Sequence, residues 1–235
     1  MSCKYFILTK PTKKNIQDNT ENQIVKFNTA DQYILPETLI ECYVRNGLFE
    51  SSLIEWCKQF CNKEKTFLDI GAHTGTYSIP LSQYSKDVYS FEPQKMTYYA
   101  LCGSVALSNI KNITCLNFGL GSEEQIGEKQ LYIVSNDGGG STVHNTNNAL
   151  GTEKITIKTL DELNIDNVGF IKMDIEENEY YALLGSKETL KRSNYPKILF
   201  ESNEKDVRIF KFLENLNYKI VSVYGYNNMF LATFY

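Results

Sequence analysis

From Thr66 onward the sequence alternates short apolar runs with helical patterns, and the links between them are short. Thr66–Ile70 (TFLDI) ends at Gly71 and is followed by a helical pattern from about Thr76 to Tyr84. Val88–Glu92 (VYSFE) is ended by Pro93 and leads into a long helical pattern, Lys95 to Ser108, and then a third apolar run, Ile113–Phe118. Strands joined through helices pair in parallel, because a parallel neighbour needs a crossover of a dozen or more residues. The rhythm resumes with a strand at Val168–Met173, a helix at Glu177–Leu190, a strand at Lys197–Phe200 and a helix at Lys205–Leu216. The last two runs, Tyr218–Tyr224 and Met229–Phe234, are separated only by the turn Gly225–Asn228, which forces an antiparallel hairpin. The expectation is an α/β fold with a seven-stranded, mostly parallel sheet and an antiparallel C-terminal hairpin.

The flanking segments read differently. Residues 1–35 lack clear periodicity, and Thr12–Asn22 is nearly free of apolar residues. Helical patterns follow at Pro36–Gly47 and Ser52–Asn62. The expected division is therefore an N-terminal arm with helices over 1–62 and a main domain over 63–235. Between the third and fourth strands, KQLYIV and KITIKTL read as extra strands around the polar loop SNDGGGSTVHNTNNALG. Long polar loops inside compact domains are commonly functional, and Gly138–Gly140 would give this one the freedom of a lid, with Ser141 or His144 nearing a substrate.

Charge and composition exclude several classes. A net charge of −4 argues against a protein that grips long stretches of nucleic-acid backbone. No apolar run reaches the roughly 18 residues of a membrane span, and the stretch Tyr5–Leu8 is too short for a signal-peptide core. An intracellular, cytoplasmic location is the default expectation. The six cysteines form no Cys-x-x-Cys pair, so a zinc site is not expected.

In open α/β sheets ligands bind at the carboxyl ends of the strands. That edge here carries Asp69, Gly71, His73 and Gly75, then Glu92, Asn117, Asp174, Glu176, Glu179 and Glu201. The first turn, Gly71-Ala72-His73-Thr74-Gly75, lacks the glycine spacing of a dinucleotide fingerprint, and no phosphate-binding P-loop occurs. Asp69 would repel phosphate and suit an ammonium group. Glu92, 23 residues later, can accept both hydroxyls of a ribose. The ligand so described is a positively charged nucleoside without phosphate, and S-adenosylmethionine meets that description.

Over residues 66–201 the sequence also resembles the FkbM-type methyltransferases. The segments that carry the resemblance are FLDIGAHTGTYS, VYSFEP, NITCLNFGLGSEE, GGST, ITIKTLDEL, FIKMDIEENE and ILFE, in the family's order and spacing. The resemblance implies a Rossmann-like class I methyltransferase fold and an S-adenosylmethionine-dependent O-methyltransferase acting on a hydroxyl of a carbohydrate, glycan or small molecule. On this reading Asp69, Gly71, His73, Gly75, Glu92 and Asn117 hold the cofactor, and Asp174, Glu201 and His144 act on the acceptor. Asp174 is a candidate base or a ligand to a divalent metal. Two other readings stay open: an RNA 2′-O-ribose methyltransferase and a cofactor-binding module without turnover. The sequence departs from the family pattern at Glu177, where Asp-x-Glu-Gly-x-Glu would have glycine.

Overall fold

A computed structural model describes residues 4–9, 31–203 and 206–235. Seven strands form one sheet: β3 (Thr66–Ile70), β4 (Val88–Phe91), β5 (Ile113–Leu116), β9 (Val168–Met173), β10 (Lys197–Glu201), β11 (Tyr218–Ser222) and β12 (Met229–Phe234). Their order across the sheet is β11-β12-β10-β9-β3-β4-β5. Only β12 runs against its neighbours, so the C-terminal hairpin is antiparallel as the short turn requires. The chain leaves β3 toward β4 and β5, then returns to β9 on the other side of β3. This reversal opens a crevice at the carboxyl ends of β3 and β9, where ligands of such sheets sit.

Alternation along the strands feeds two cores. Phe67 of β3 and Phe170 of β9 stack at 5.3 Å on one face. That face is covered by α2 (Ser51–Cys57), α3 (Ser78–Ser82) and α4 (Lys95–Leu107). Leu68, Ile70, Ile171 and Met173 point the other way, toward α5 (Glu179–Leu184), α6 (Lys187–Arg192) and α7 (Val207–Asn215). Burial on both faces is why these strands read as continuous apolar runs. The central ones lose essentially all solvent contact.

Ahead of the sheet, β1 (Tyr5–Thr9) pairs with β2 (Gln32–Pro36) where the sequence shows no strand periodicity. The polar stretch Thr12–Asn22 lies outside the described residues. β2 lies along α4, its backbone donating to Ser104 and Ser108 at 2.8 and 2.7 Å. Helix α1 (Glu37–Asn46) follows, and Tyr33, Leu35, Tyr43, Leu53 and Cys57 enter the same core as Phe67. A second, three-stranded sheet is built from β6 (Gly119–Leu120), β8 (Gly151–Lys158) and β7 (Gly127–Ile133), and it carries the two extra strands read from sequence. No helix among the described residues is long and apolar enough to cross a membrane.

The helix expected over Glu177–Leu190 is two helices, α5 and α6, interrupted at Gly185 and Ser186. At this break two backbones approach closely. A Cβ at Gly185 would lie 2.1 Å from the carbonyl oxygen of Gly121. Gly185→Ala should therefore destabilise the fold by about 1–3 kcal/mol through overpacking against a main chain that cannot rotate away. Gly151→Ala, with no heavy atom within 4 Å of the added carbon, is the matched control and should be near neutral. Thermal unfolding followed by circular dichroism compares the two, and an unchanged midpoint in Gly185→Ala would show that the backbones separate at little cost.

Candidate active site

The site is organised by the contact between the first turn and the end of β9. Gly71 has φ of +80°, and a Cβ there would lie 1.8 Å from the Asp174 carbonyl oxygen. No side chain fits, so the turn after β3 rests directly on the residue that ends β9. A cavity of about 490 Å³ opens at this point. On one side it is walled by the turn after β3 and the end of β4, and on the other by the ends of β9 and β10.

Glu92 follows β4 and lines the cavity, yet it is almost fully buried. Its Oε2 accepts from the backbone N–H of His73 at 3.0 Å, and its Oε1 from that of Gln94 at 2.9 Å. Burial pushes its carboxyl up to about 7, while those two amides pull it down. Each oxygen is thereby aimed, with lone pairs left for a ligand. His73 itself has φ of +50°, and its ring lines the cavity.

Three of the six residues expected to hold the cofactor do not reach the cavity. Asp69 is fully buried among the side chains beneath the turn, because strand alternation sends it toward α3. It accepts from Ser78, its Oδ1 has no hydrogen-bond partner, and burial raises its carboxyl while Lys172 lowers it. Gly75 makes room for Ile79 and Leu101, each within 3.1 Å of where its Cβ would be. Asn117 donates to the carbonyl oxygens of Glu92 and Pro93 at 2.9 and 3.0 Å. It fixes the chain after β4 and lies outside the cavity wall. Gly71, His73 and Glu92 do line it.

On the opposite side Asp174, Glu176 and Glu201 bring one carboxylate oxygen each within 4.8 Å of one another. Burial and the neighbouring Asp174 carboxylate raise Glu201 to about 8. Burial, then Asp174, also raises Glu176. Lys172 is the buried counter-charge, 3.3 Å from Asp174 Oδ2 and donating to the Gly71 carbonyl at 3.0 Å. Burial opposes its charge, but Asp174, Asp69 and Glu50 outweigh that and hold the ammonium above its ordinary range. Glu179 stands apart. It is buried behind the turn, accepting from the Ile175 amide at 2.7 Å, and has no place in the cavity wall.

The polar loop folds over the cavity. The His73 ring donates through Nε2 to the Asp137 carbonyl at 2.7 Å, Gly140 donates to Glu176 at 2.9 Å, and Ser141 donates to Gln94 at 3.1 Å. Asp137 to Ser141 form part of the wall. Ser141 lines the cavity and His144 does not. The His144 ring meets the Glu177 carbonyl at 3.1 Å and lies beside Tyr181, outside the cavity wall. Glu177 has φ of +73°, the region that favours glycine, which explains why the family pattern carries glycine there.

Two groups of wall residues were not legible as site residues. Leu120, Leu131, Ile155 and Ile157 of the small sheet supply an apolar surface. Tyr43, Phe49 and Glu50 come from α1 and the turn before α2, well before the glycine turn. No local sequence signal marked the second group: Phe49 and Glu50 follow the helix stop at Gly47 as ordinary turn residues would.

A sequence model of the methyltransferase FkbM domain matches residues 69–220, well over half of the chain. Among solved structures, methyltransferase FkbM from Methylobacillus flagellatus KT superposes with a TM-score of 0.52 at 17% identity, over 81% of this chain and 46% of that one. This chain therefore spans just under half the length of that relative. Precorrin-6y C5,15-methyltransferase from Geobacter metallireducens GS-15 gives 0.52 at 11% identity, over 81% and 92% of the two chains. A Streptococcus mutans protein assigned as a methyltransferase, in complex with SAH, gives 0.50 at 13%, over 77% and 93%. At such identities the likeness is one of fold, the class I methyltransferase fold. No curated protein matches the sequence.

The buried acids set a pH dependence of stability. Burial raises Glu179 to about 8, so the folded state favours its protonated form. Its contribution is full below the ordinary carboxyl range near 4.5 and is lost as pH rises through about 8. Glu92, at about 7, adds a slope of the same sign. Urea unfolding at pH 5, 6.5 and 8 should show stability falling across the series, and Glu179→Gln should flatten the fall without abolishing it. A variant with the wild-type slope would place the titration elsewhere.

Proposed function

This chain belongs to the FkbM methyltransferase family, and we propose that it transfers the methyl group of S-adenosylmethionine to a hydroxyl of a carbohydrate or related polyol. The observation that carries this reading is that one cavity holds both an aimed, buried carboxylate after β4 and a close pair of carboxylates, Asp174 and Glu201, after β9 and β10. Glu92 receives the two ribose hydroxyls through its free lone pairs. The apolar surface of Leu120, Ile155 and Ile157 packs against the base. The turn at Gly71, with carboxylates around it and no phosphate-binding glycines, suits a sulfonium and an ammonium and disfavours pyrophosphate.

Methyl transfer is an in-line displacement. The acceptor oxygen forms its bond to the methyl carbon as the carbon–sulfur bond breaks, and the electron pair returns to sulfur to leave a neutral thioether. The acceptor's proton must go to a base. Asp174 and Glu201 supply one as a pair, and because Glu201 titrates at about 8 it is a base matched to neutral solution. Lys172 offsets part of the charge of that pair at 3.3 Å from Asp174. It supplies the positive charge a divalent cation would otherwise bring to these carboxylates, and the reading routes no step through a metal. Among the described residues Lys172 is also the one lysine or arginine in the cavity wall, and it is engaged with Asp174 and Gly71, which disfavours an RNA backbone as the occupant.

Calorimetric titration should show S-adenosylmethionine and its demethylated product binding and NAD failing to bind. Glu92→Ala should weaken the nucleoside by about one to two decades, the worth of charge-assisted hydrogen bonds of roughly 1.5–3 kcal/mol. An unchanged dissociation constant would take Glu92 out of the site.

Asp174→Asn should bind cofactor as well as wild type and lose roughly 10²–10⁴-fold in kcat. The wild-type rate should rise with pH through about 8 as Glu201 gives up its proton. In the variant the inflection should move to lower pH, because the charge that raises Glu201 is gone. A chelator should leave the wild-type rate unchanged; a loss restored by Mg²⁺ would transfer the role of the pair to a bound cation. Full activity in Asp174→Asn would remove it from the mechanism.

A further inference from the structure

The acceptor side of the cavity has a wall that the FkbM match does not include. Residues 69–220 carry the match, whereas Phe49 and Glu50 stand in the turn between α1 and α2. Two contacts dock that segment onto the site. The Glu50 Oε2 accepts from the Tyr77 hydroxyl at 2.7 Å, and the Tyr43 hydroxyl meets Thr76 Oγ1 at 3.0 Å. Tyr77 in turn lies under the Lys172 ammonium, 5.1 Å from its ring centre, which places Glu50 beside the Lys172–Asp174 pair.

Glu50 takes φ of +53° to reach this position, and its Oε1 has no hydrogen-bond partner among the described residues. Phe49 lines the same cavity while 54% exposed. An aromatic ring left open at the mouth of a cavity whose depths are lined by carboxylates fits one kind of occupant. A pyranose has an apolar C–H face for the ring and a rim of hydroxyl donors for the acids. Glu50, Asp174, Glu176 and Glu201 all accept hydrogen bonds and none welcomes a second anion, and the charge of Lys172 is already engaged.

Resting on the methyl-transfer reading above, we infer that the α1–α2 turn is the acceptor-selecting element: Phe49 is a stacking platform and Glu50 a hydrogen-bond acceptor for a sugar ring that carries no phosphate or carboxylate. An amino substituent on that ring would strengthen binding, because it brings a cation to the acidic wall. Neither residue touches the transferred methyl group. They determine which acceptor is held and with what charge.

The test is ligand-observed saturation-transfer NMR on the full chain, with and without SAH. The probes are three methyl glycosides: a neutral hexopyranoside, its 2-amino-2-deoxy analogue and its uronate. The neutral and amino sugars should bind, and the uronate at least about tenfold more weakly. Phe49→Ala, at a half-exposed site where little packing is lost, should weaken the first two about tenfold and leave SAH affinity unchanged. Glu50→Gln should narrow the gap between the amino sugar and the uronate. A uronate that binds as well as the neutral sugar overturns the proposal, as does a Phe49→Ala protein that holds all three as wild type does, or a wild-type protein that holds none. SAH affinity is measured calorimetrically on the same samples. Its absence would remove the methyl-donor reading, while the sugar series still decides this one.

Discussion

The structure depends on one approach of main chain to main chain. At the carboxyl ends of β3 and β9, Gly71 comes so near the Asp174 carbonyl that a single added carbon would sit 1.8 Å from it. The two strands are neighbours only because the sheet reverses its order there. The approach brings together segments about a hundred residues apart in the chain, one bearing the Gly71–Gly75 turn and the other the acids Asp174 and Glu176. Lys172 ties them together, since its ammonium reaches the Gly71 carbonyl and the Asp174 carboxylate at once. Under the proposed methyl transfer, a change in this contact would move donor and acceptor relative to each other, and displacement chemistry tolerates little such movement.

Gathering so many carboxylates in one cavity is costly, and the chain meets the cost in two ways. On the donor side it uses backbone amides: Glu92 accepts two of them. Around Asp174 it uses a buried cation, Lys172, while burial first and the Asp174 charge second hold Glu176 and Glu201 above the ordinary carboxyl range. The difference suits the roles proposed above. A carboxylate that accepts ribose hydroxyls should stay fixed, whereas a base should gain and lose a proton near the working pH.

The parallel sheet was legible because its strands are buried on both faces and punctuated by Gly71, Pro93 and Gly119. The position of Glu92 followed from the same logic. Asp69 misled because a strand-end carboxylate looks alike whether it faces ligand or core; two-residue alternation turns it inward, onto Ser78. Histidine content drew attention to His144, whose ring is spent on the Glu177 carbonyl. The pairing of β1 with β2 was not readable, because two five-residue strands without alternation carry too little pattern. Phe49 and Glu50 were missed for a different reason. Nothing in local sequence states that a turn from the N-terminal helices will close a cavity built by β9 and β10.

The turn Asp174–Glu179 connects these themes. Glu176 and Glu177 both take positive φ, at 55° and 73°, conformations that cost a non-glycine residue roughly 1–2 kcal/mol each. A lone strained residue would be hard to explain, but here the strain is matched by contacts. Glu176 accepts from Gly140 through its side chain and from Thr142 through its carbonyl; Glu177 accepts from His144 through its carbonyl and from Asn203 through its side chain. Three of the four donors belong to the loop that covers the cavity. The backbone shape that presents the acceptor acids is therefore the same shape that docks the loop. At its other end that loop is anchored to His73, whose amide holds Glu92. Glu92, the covering loop and the Glu176–Glu177 turn form one connected set of hydrogen bonds. Opening the loop for exchange of ligands must release restraints at both ends of the cavity together.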